Sequence, residues 1–327
     1  MRDLILTLLQ MIIAGNLSFL LVKGIRYLFG NKMSAIIYYT MLKGCLLCYL
    51  TPVYFVLKNI NKLEFRHKKN NYLEEFMMIW RKEQLWIVYI ILLVSILYIV
   101  IRILKRYRIQ MWYLDLLERT SSPCNHEKVE ECKKKIQLQL GKFRKNEVPV
   151  LVSNEVFAPM LVGRQKSKIY LPNIELTEKE LEYVLWHEMI HYIKKDIWIA
   201  NLVYMIRHMF PIGYFVRLYC DEVLNWAECS VEEIMFQKME DFNQKQYARL
   251  LQKFLLIPTR TRLKFQVAYF NDSELEGFRI RLEQMKHYEK RDSFIGVLTI
   301  YIFFMIIPVA LVVAVNITML IAKAGIF

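Results

Sequence analysis

Apolar residues gather in four long blocks along this chain, at 4–22, 35–57, 85–104 and 294–322, and between the last two the pattern turns charged and periodic. Blocks of about twenty apolar residues match the hydrocarbon thickness of a bilayer. The block at 85–104 is broken only by Arg102, and 294–322 carries no charge, with Pro308 and Asn316 as its main breaking or polar features. Packed transmembrane helices accommodate both residues. The block at 4–22 is followed by further apolar segments and shows no small-residue cleavage site, so it reads as an anchor and not as a removed signal. Lys43 and Pro52 interrupt 35–57, which leaves a full span and a re-entrant segment both open. The expected architecture is a mainly α membrane protein with about four transmembrane helices. It has an N-terminal membrane region at 1–104, a domain at 105–292 and a C-terminal span at 293–327.

Cations beside the spans set the expected orientation. Lys23, Arg26 and Lys32 follow the first block, Arg102, Lys105, Arg106 and Arg108 follow the third, and Lys290 and Arg291 precede the fourth. These positions read as cytoplasmic, so the domain at 105–292 is expected inside and both chain ends outside. The loop at 58–84 pulls the other way, because it is itself basic.

Within the domain, 127–140 reads as a highly charged amphipathic helix. Short runs at 148–153 and 168–171 read as strands, separated by Phe157, Ala158, Pro159 and Gly163. Leu171-Pro172 closes the second strand, and Thr177 with Glu180 forms a capping box ahead of an apolar-periodic run. A helix is therefore expected from near Glu178 to about Lys195, its last turn carrying Lys194 and Lys195. Another follows to about Phe210, Pro211 restarts the chain, and a third runs from about Gly213 to about Phe236.

Composition supports the membrane reading, with 55% hydrophobic residues among 327. The net charge of +14 is explained by basic residues flanking the spans, and without a recognition motif no direct nucleic-acid binding is expected. Six cysteines show no disulfide framework. Cys45 and Cys48 form a CxxC inside an apolar block without neighbouring metal ligands, so packing is their expected role.

Candidate chemistry lies on the helix expected over 178–195. His187 and His191 are one turn apart and share a face, so both imidazoles can bind one metal ion, and the ligand set suits zinc. Glu188 is adjacent and has the place of a general base that takes a proton from a metal-activated water. The plainer alternative is two histidines on a helix surface. A third ligand must come from downstream, where Asp221, Glu222, Glu228, Glu232 and Glu233 are candidates that spacing does not separate. Tyr192, His208 and Tyr219 are near enough in sequence to stabilise an oxyanion, but each reads more readily as a packed aromatic.

The stretch LPNIELTEKELEYVLWHEMIHYIKKD at 171–196 and the later NWAECSVEEIMF at 225–236 resemble the BlaR/MecR-type integral-membrane zinc metallopeptidases. Shared features are Pro159-x-x-x-Gly163, the Leu-Pro before the helix, HExxH with Asp196 five residues on, and a tryptophan–glutamate signature matched by Trp226, Glu228, Glu232 and Glu233. Val231 and Glu232 stand where that family has Cys and Asp. The resemblance implies a zincin-like α+β metalloprotease domain on the cytoplasmic side of a bacterial cell membrane. By the same resemblance Zn²⁺ is held by His187, His191 and Glu228, with Glu188 catalytic. Asp196 and Glu232 are then candidates for groups that orient the ligands, and Pro159 to Gly163 marks an edge strand for an extended substrate. The implied substrate is a transcriptional repressor of winged-helix type and sometimes the protease itself, near 265–276. The chain stops at Phe327, so the penicillin-binding sensor of those receptors is not expected, and signals would arrive through the spans, a partner sensor or a homodimer. Two other readings stand beside this one: a housekeeping protease of the HtpX or CAAX-processing sort, and a catalytically silent transmembrane scaffold.

Overall fold

A computed structural model describes residues 2–53, 94, 97, 98, 100–124, 127–140, 148–163, 166–210, 213–255, 273–288 and 293–323. The basic loop at 58–84, most of the block at 85–104, Pro211, Lys290, Arg291 and most of 265–276 lie outside the described residues.

Helix α1 (Arg2–Phe29) runs past the apolar block expected at 4–22, because Lys23 and Arg26 continue the helix instead of ending it. A 3₁₀ turn at Gly30–Lys32 leads to α2 (Ala35–Leu50), whose Ser34 cap accepts from the Ile36 N–H. The helix stops short of the expected 57. Thr51 is extended, and Pro52 disfavours a helical conformation for the residue before it. Sixteen residues reach about 24 Å, less than a bilayer core of about 30 Å. Leu4–Lys32 and Ile295–Ala322 are both long and apolar enough to cross a membrane.

Helix α3 covers 100–120 without a break at 104. It leads to β1 (Ser121–Pro123), followed by α4 (Glu127–Leu140). Strands β2 (Val150–Ser153), β3 (Met160–Val162) and β4 (Lys168–Pro172) complete a sheet of order β1-β2-β4-β3. β2 and β4 pair in parallel, with Val150 opposite Ile169, whereas β1 and β3 pair antiparallel at the two edges. The expected strands are both present, and β3 adds the edge strand.

Then come α5 (Glu178–Lys194), α6 (Asp196–Met209), α7 (Tyr214–Lys238), α8 (Gln244–Leu255), α9 (Ser273–Met285) and α10 (Ser293–Lys323). The capping box of α5 is complete: the Glu180 N–H donates to Thr177 Oγ1 at 3.3 Å and the Thr177 N–H to Glu180 Oε2 at 2.8 Å. Lys195 breaks the helix in a left-handed conformation, φ 57°, its N–H returning to His191 and Tyr192 carbonyls.

Two large apolar cores form among the described residues, beside two small clusters. One gathers Phe19, Tyr38, Leu42, Tyr49 and Phe303 of α1, α2 and α10 with Val203, Phe210, Tyr219 and Val223 of α6 and α7. The other gathers Val150, Ile169 and Leu171 of the sheet with Leu185, Trp186, Met235, Tyr247 and Met285. Helix α7 belongs to both, with Trp226 and Cys229 in the first and Val231 and Met235 in the second. Glu228 lies at that junction.

Candidate metal centre

One helical turn brings His187 and His191 together, and the crossing of α5 over α7 brings Glu228 to them. Their Nε2 atoms stand 3.1 Å apart, with His187 Nε2 3.1 Å from Glu228 Oε2 and His191 Nε2 3.3 Å from Glu228 Oε1. Ligand atoms of all three lie within 4.8 Å of one another. The donors fit a metal ion: two imidazole nitrogens and a carboxylate converge, and the opposite nitrogen of each ring is engaged elsewhere.

That engagement fixes the rings. His191 Nδ1 is 2.8 Å from Asp196 Oδ2, an acceptor, so this nitrogen carries a proton and Nε2 is the nitrogen turned to the cluster, free to ligate once its own proton has left. Asp196 reaches back because the left-handed Lys195 ends one helix and starts the next. Its other oxygen accepts from the Tyr39 hydroxyl of α2 at 2.8 Å, and Lys194 Nζ lies 3.2 Å from Oδ2. His187 Nδ1 stands 2.9 Å from the Tyr247 hydroxyl, to which Arg281 donates at 3.3 Å. Arg281 Nη1 is also 3.4 Å from Glu228 Oε2, and its Nε donates to Glu232. Glu232, fully buried, accepts from Tyr288 as well. Among the described residues it therefore touches the cluster through Arg281 alone.

Electrostatics follow from burial and these neighbours. Burial depresses His191, but the carboxylates of Glu228 and Asp196 outweigh it and raise its pKa to about 10. Burial dominates at His187 and lowers it to about 4 despite Glu228. For Glu228 burial acts upward, yet the charges of His191 and Arg281 hold it well below the carboxylate range. Asp196 is likewise lowered, by His191 and Lys194 against burial. The metal-free cluster thus carries one positive charge on its two rings, as the imidazolium of His191.

Glu188 is 6% exposed, and burial pushes its pKa up to about 7 against the pull of the His191 charge. It accepts a hydrogen bond from the Leu161 backbone N–H of β3. The outer edge of β3 therefore faces Glu188. Pro159 precedes this strand and Gly163 ends it at φ 101°, where a Cβ would meet the Lys166 carbonyl oxygen at 2.5 Å.

The remaining candidates go elsewhere. Asp221 pairs with Arg207 at 3.0 Å, Glu222 accepts from Tyr38 at 3.1 Å, and Glu233 accepts from Ser34 and from the Ile36 N–H, both at 3.0 Å. Tyr219 donates to the Leu42 carbonyl at 2.8 Å, and His208 Nδ1 bonds the Tyr204 carbonyl at 2.9 Å. Tyr192 packs against the second core. Tyr39, Tyr247 and Arg281 were not singled out from the sequence, since their residue types carry no ligand signature and only tertiary packing brings them to the cluster.

Long apolar helices joined to a His–His–Glu cluster with a buried glutamate beside it define a membrane metallopeptidase. Residues 6–285 match the family described as BlaR1 peptidase M56, and the chain belongs to that family. The methicillin resistance mecR1 proteins of Staphylococcus aureus and Staphylococcus epidermidis are each 29% identical to it over 101 residues, 29% of this chain. That match spans 16% of the length of either relative.

The hydrogen bond of Asp196 gives a first prediction. Asp196→Asn keeps the shape but removes the charge that supports His191, so metal affinity is expected to fall about ten- to a hundredfold. Competition against a chromogenic chelator measures it, with circular dichroism confirming the fold.

Proposed function

We propose that this protein is a zinc endopeptidase that cleaves a cytoplasmic protein, a winged-helix transcriptional repressor by analogy with its family, and that its protease domain at 105–292 faces the cytoplasm. The observation that carries the reading is the convergence of His187, His191 and Glu228 beside the buried Glu188. His187, His191 and Glu228 hold the ion, and Asp196 and Tyr247 orient the two rings. When bound, zinc supplies Lewis-acid polarisation of the scissile carbonyl and acidifies a water. Glu188 takes the proton of the attacking water and delivers it to the leaving amine; a pKa raised to about 7 suits both transfers. Arg281 places its charge against Glu228 and keeps that carboxylate ionised. The outer edge of β3, between Pro159 and Gly163, receives the substrate as an added extended strand that passes Glu188.

Metal loading should depend on pH. His191 titrates at about 10 in the metal-free cluster, so at every pH below that its proton must leave for the ion to bind. Apparent zinc affinity is expected to rise about tenfold per pH unit between roughly pH 6 and 8. Titrations against a pH-corrected chelator give the slope, and a flat profile would contradict the proton assignment.

The function is tested by comparing the proteomes of cells that carry the wild-type chain and the Glu188→Gln chain. A repressor that shortens only with the wild type supports the reading. Shortened membrane proteins would point to a processing protease of the HtpX or CAAX sort, and identical proteomes to a silent scaffold.

A further inference from the structure

We infer that the paired helices α6 and α7, over residues 196–209 and 214–226, are immersed in the bilayer beside the membrane helices, so that the metal cluster sits at the membrane surface and not in a domain held away from it. The inference rests on the membrane reading of α1 and α10 and is independent of the protease reading.

Depth is read from side-by-side contacts. α2 runs parallel to α10, since a Cβ on Gly296 would meet Ile37 at 2.5 Å and one on Gly44 would meet Phe303 at 2.1 Å. Residue 37 is thus level with the start of the span Ile295–Ala322, and residue 44 lies about 10 Å further in. α7 runs antiparallel to α2. Ser34 bonds Glu233, Tyr38 meets the Trp226 ring at 4.8 Å between centroids, the Leu42 carbonyl accepts from Tyr219, and Tyr49 packs on Tyr219 at 4.9 Å and Phe210 at 6.4 Å. α1 keeps the same order, with Arg26 over Trp226 at 4.5 Å and Phe19 against Tyr219 at 5.4 Å. Phe210, at the end of α6, therefore lies level with Tyr49, about 20 Å along α2 from Ser34.

At the other end, Asp196 bonds Tyr39 and Glu228 lies between Trp226 and Glu233. The cluster is level with the first turn and a half of α2, where the span α10 begins. Over 196–209 and 214–226 the outward faces of α6 and α7 are mainly apolar, with Arg217 the one charged side chain among their exposed described residues. Trp198, Met205, Tyr214 and Phe215 are 47%, 37%, 72% and 42% exposed, apolar surface of the same kind as Phe304 and Val309 on α10. Arg207 and Asp221 neutralise each other between α6 and α7 at 3.0 Å. Continuity of the first core through α1, α2, α6, α7 and α10 commits this face to lipid.

The test is site-directed spin labelling of the full chain in phosphatidylethanolamine–phosphatidylglycerol liposomes. Cys124→Ser and Cys132→Ser remove the two partly exposed thiols, and Glu188→Gln keeps the chain intact whether or not it is a protease. Labels at Tyr214→Cys and, separately, Phe215→Cys are compared with Phe304→Cys on α10 and Leu138→Cys on α4. Immersion predicts that the ratio of oxygen to nickel-chelate accessibility at the two α7 positions shifts up to the Phe304 value. A ratio like that at Leu138, or a site closed to both reagents because protein covers it, overturns the inference. Two α7 positions keep the outcome readable if one variant fails to fold.

Discussion

Glu188→Gln is expected to lower peptide-bond cleavage by about a thousandfold or more while zinc content stays at the wild-type level. General-base catalysis alone is worth about 10² to 10⁴ in rate, and glutamine cannot accept the proton. The atoms placed to hold a metal belong to His187, His191 and Glu228, so removing the Glu188 charge leaves those donors in place. Glutamine also keeps an oxygen to accept from the Leu161 N–H, which preserves the tie between α5 and β3. Metal analysis by mass spectrometry and cleavage of a labelled protein substrate measure the two quantities separately. Unchanged cleavage would remove Glu188 from the reaction.

The second large effect belongs to Glu228→Ala. It removes one of three donors and strands two cationic groups, His191 and Arg281, that the carboxylate faces at 3.3 and 3.4 Å. Loss of an orienting partner costs about ten- to a hundredfold in metal affinity, and loss of a ligand should exceed a hundredfold. Zinc should then be absent from protein purified without added metal, and cleavage should fall with it. Glu232→Ala is the informative comparison. Glu232 is one turn further along α7 and bonds Arg281 and Tyr288 but neither histidine, so its loss should leave zinc bound. Retained zinc in the Glu228→Ala protein would assign the third donor elsewhere.

Arg281 connects these two carboxylates and extends the site beyond the motif. It reaches Glu228, Glu232 and the Tyr247 hydroxyl from α9, while Tyr39 reaches Asp196 from α2. Each histidine is thus oriented by a group from a different part of the chain. Movement of α2 would be felt at His191 through Tyr39 and Asp196, and movement of α9 at His187 through Arg281 and Tyr247.

Features that depend on neighbours a few residues away are legible in the amino-acid order alone. Hydropathy over twenty residues identified the apolar segments at 4–22 and 294–322, and the repeat of the α-helix placed His187 and His191 on one face. Thr177 and Glu180 marked the start of their helix because a capping box closes within four residues. The boundaries of α1 and α2 were harder to read. Lys23 and Arg26 follow the apolar block in the sequence, yet in the fold they meet Glu222 and Trp226, which makes continued helix favourable. Family resemblance, not spacing, selected Glu228 among five carboxylates on one helix. Tertiary structure supplied the physical reason for that choice. Glu228 is the one that faces the histidines, whereas Asp221, Glu222, Glu232 and Glu233 meet Arg207, Tyr38, Arg281 and Ser34. Only the fold could decide this, and bring Tyr39, Tyr247 and Arg281 to the cluster. A carboxylate's role is set by the charges and donors that helix crossing brings within hydrogen-bond distance, and those partners are remote in sequence and carry no periodicity that points to them.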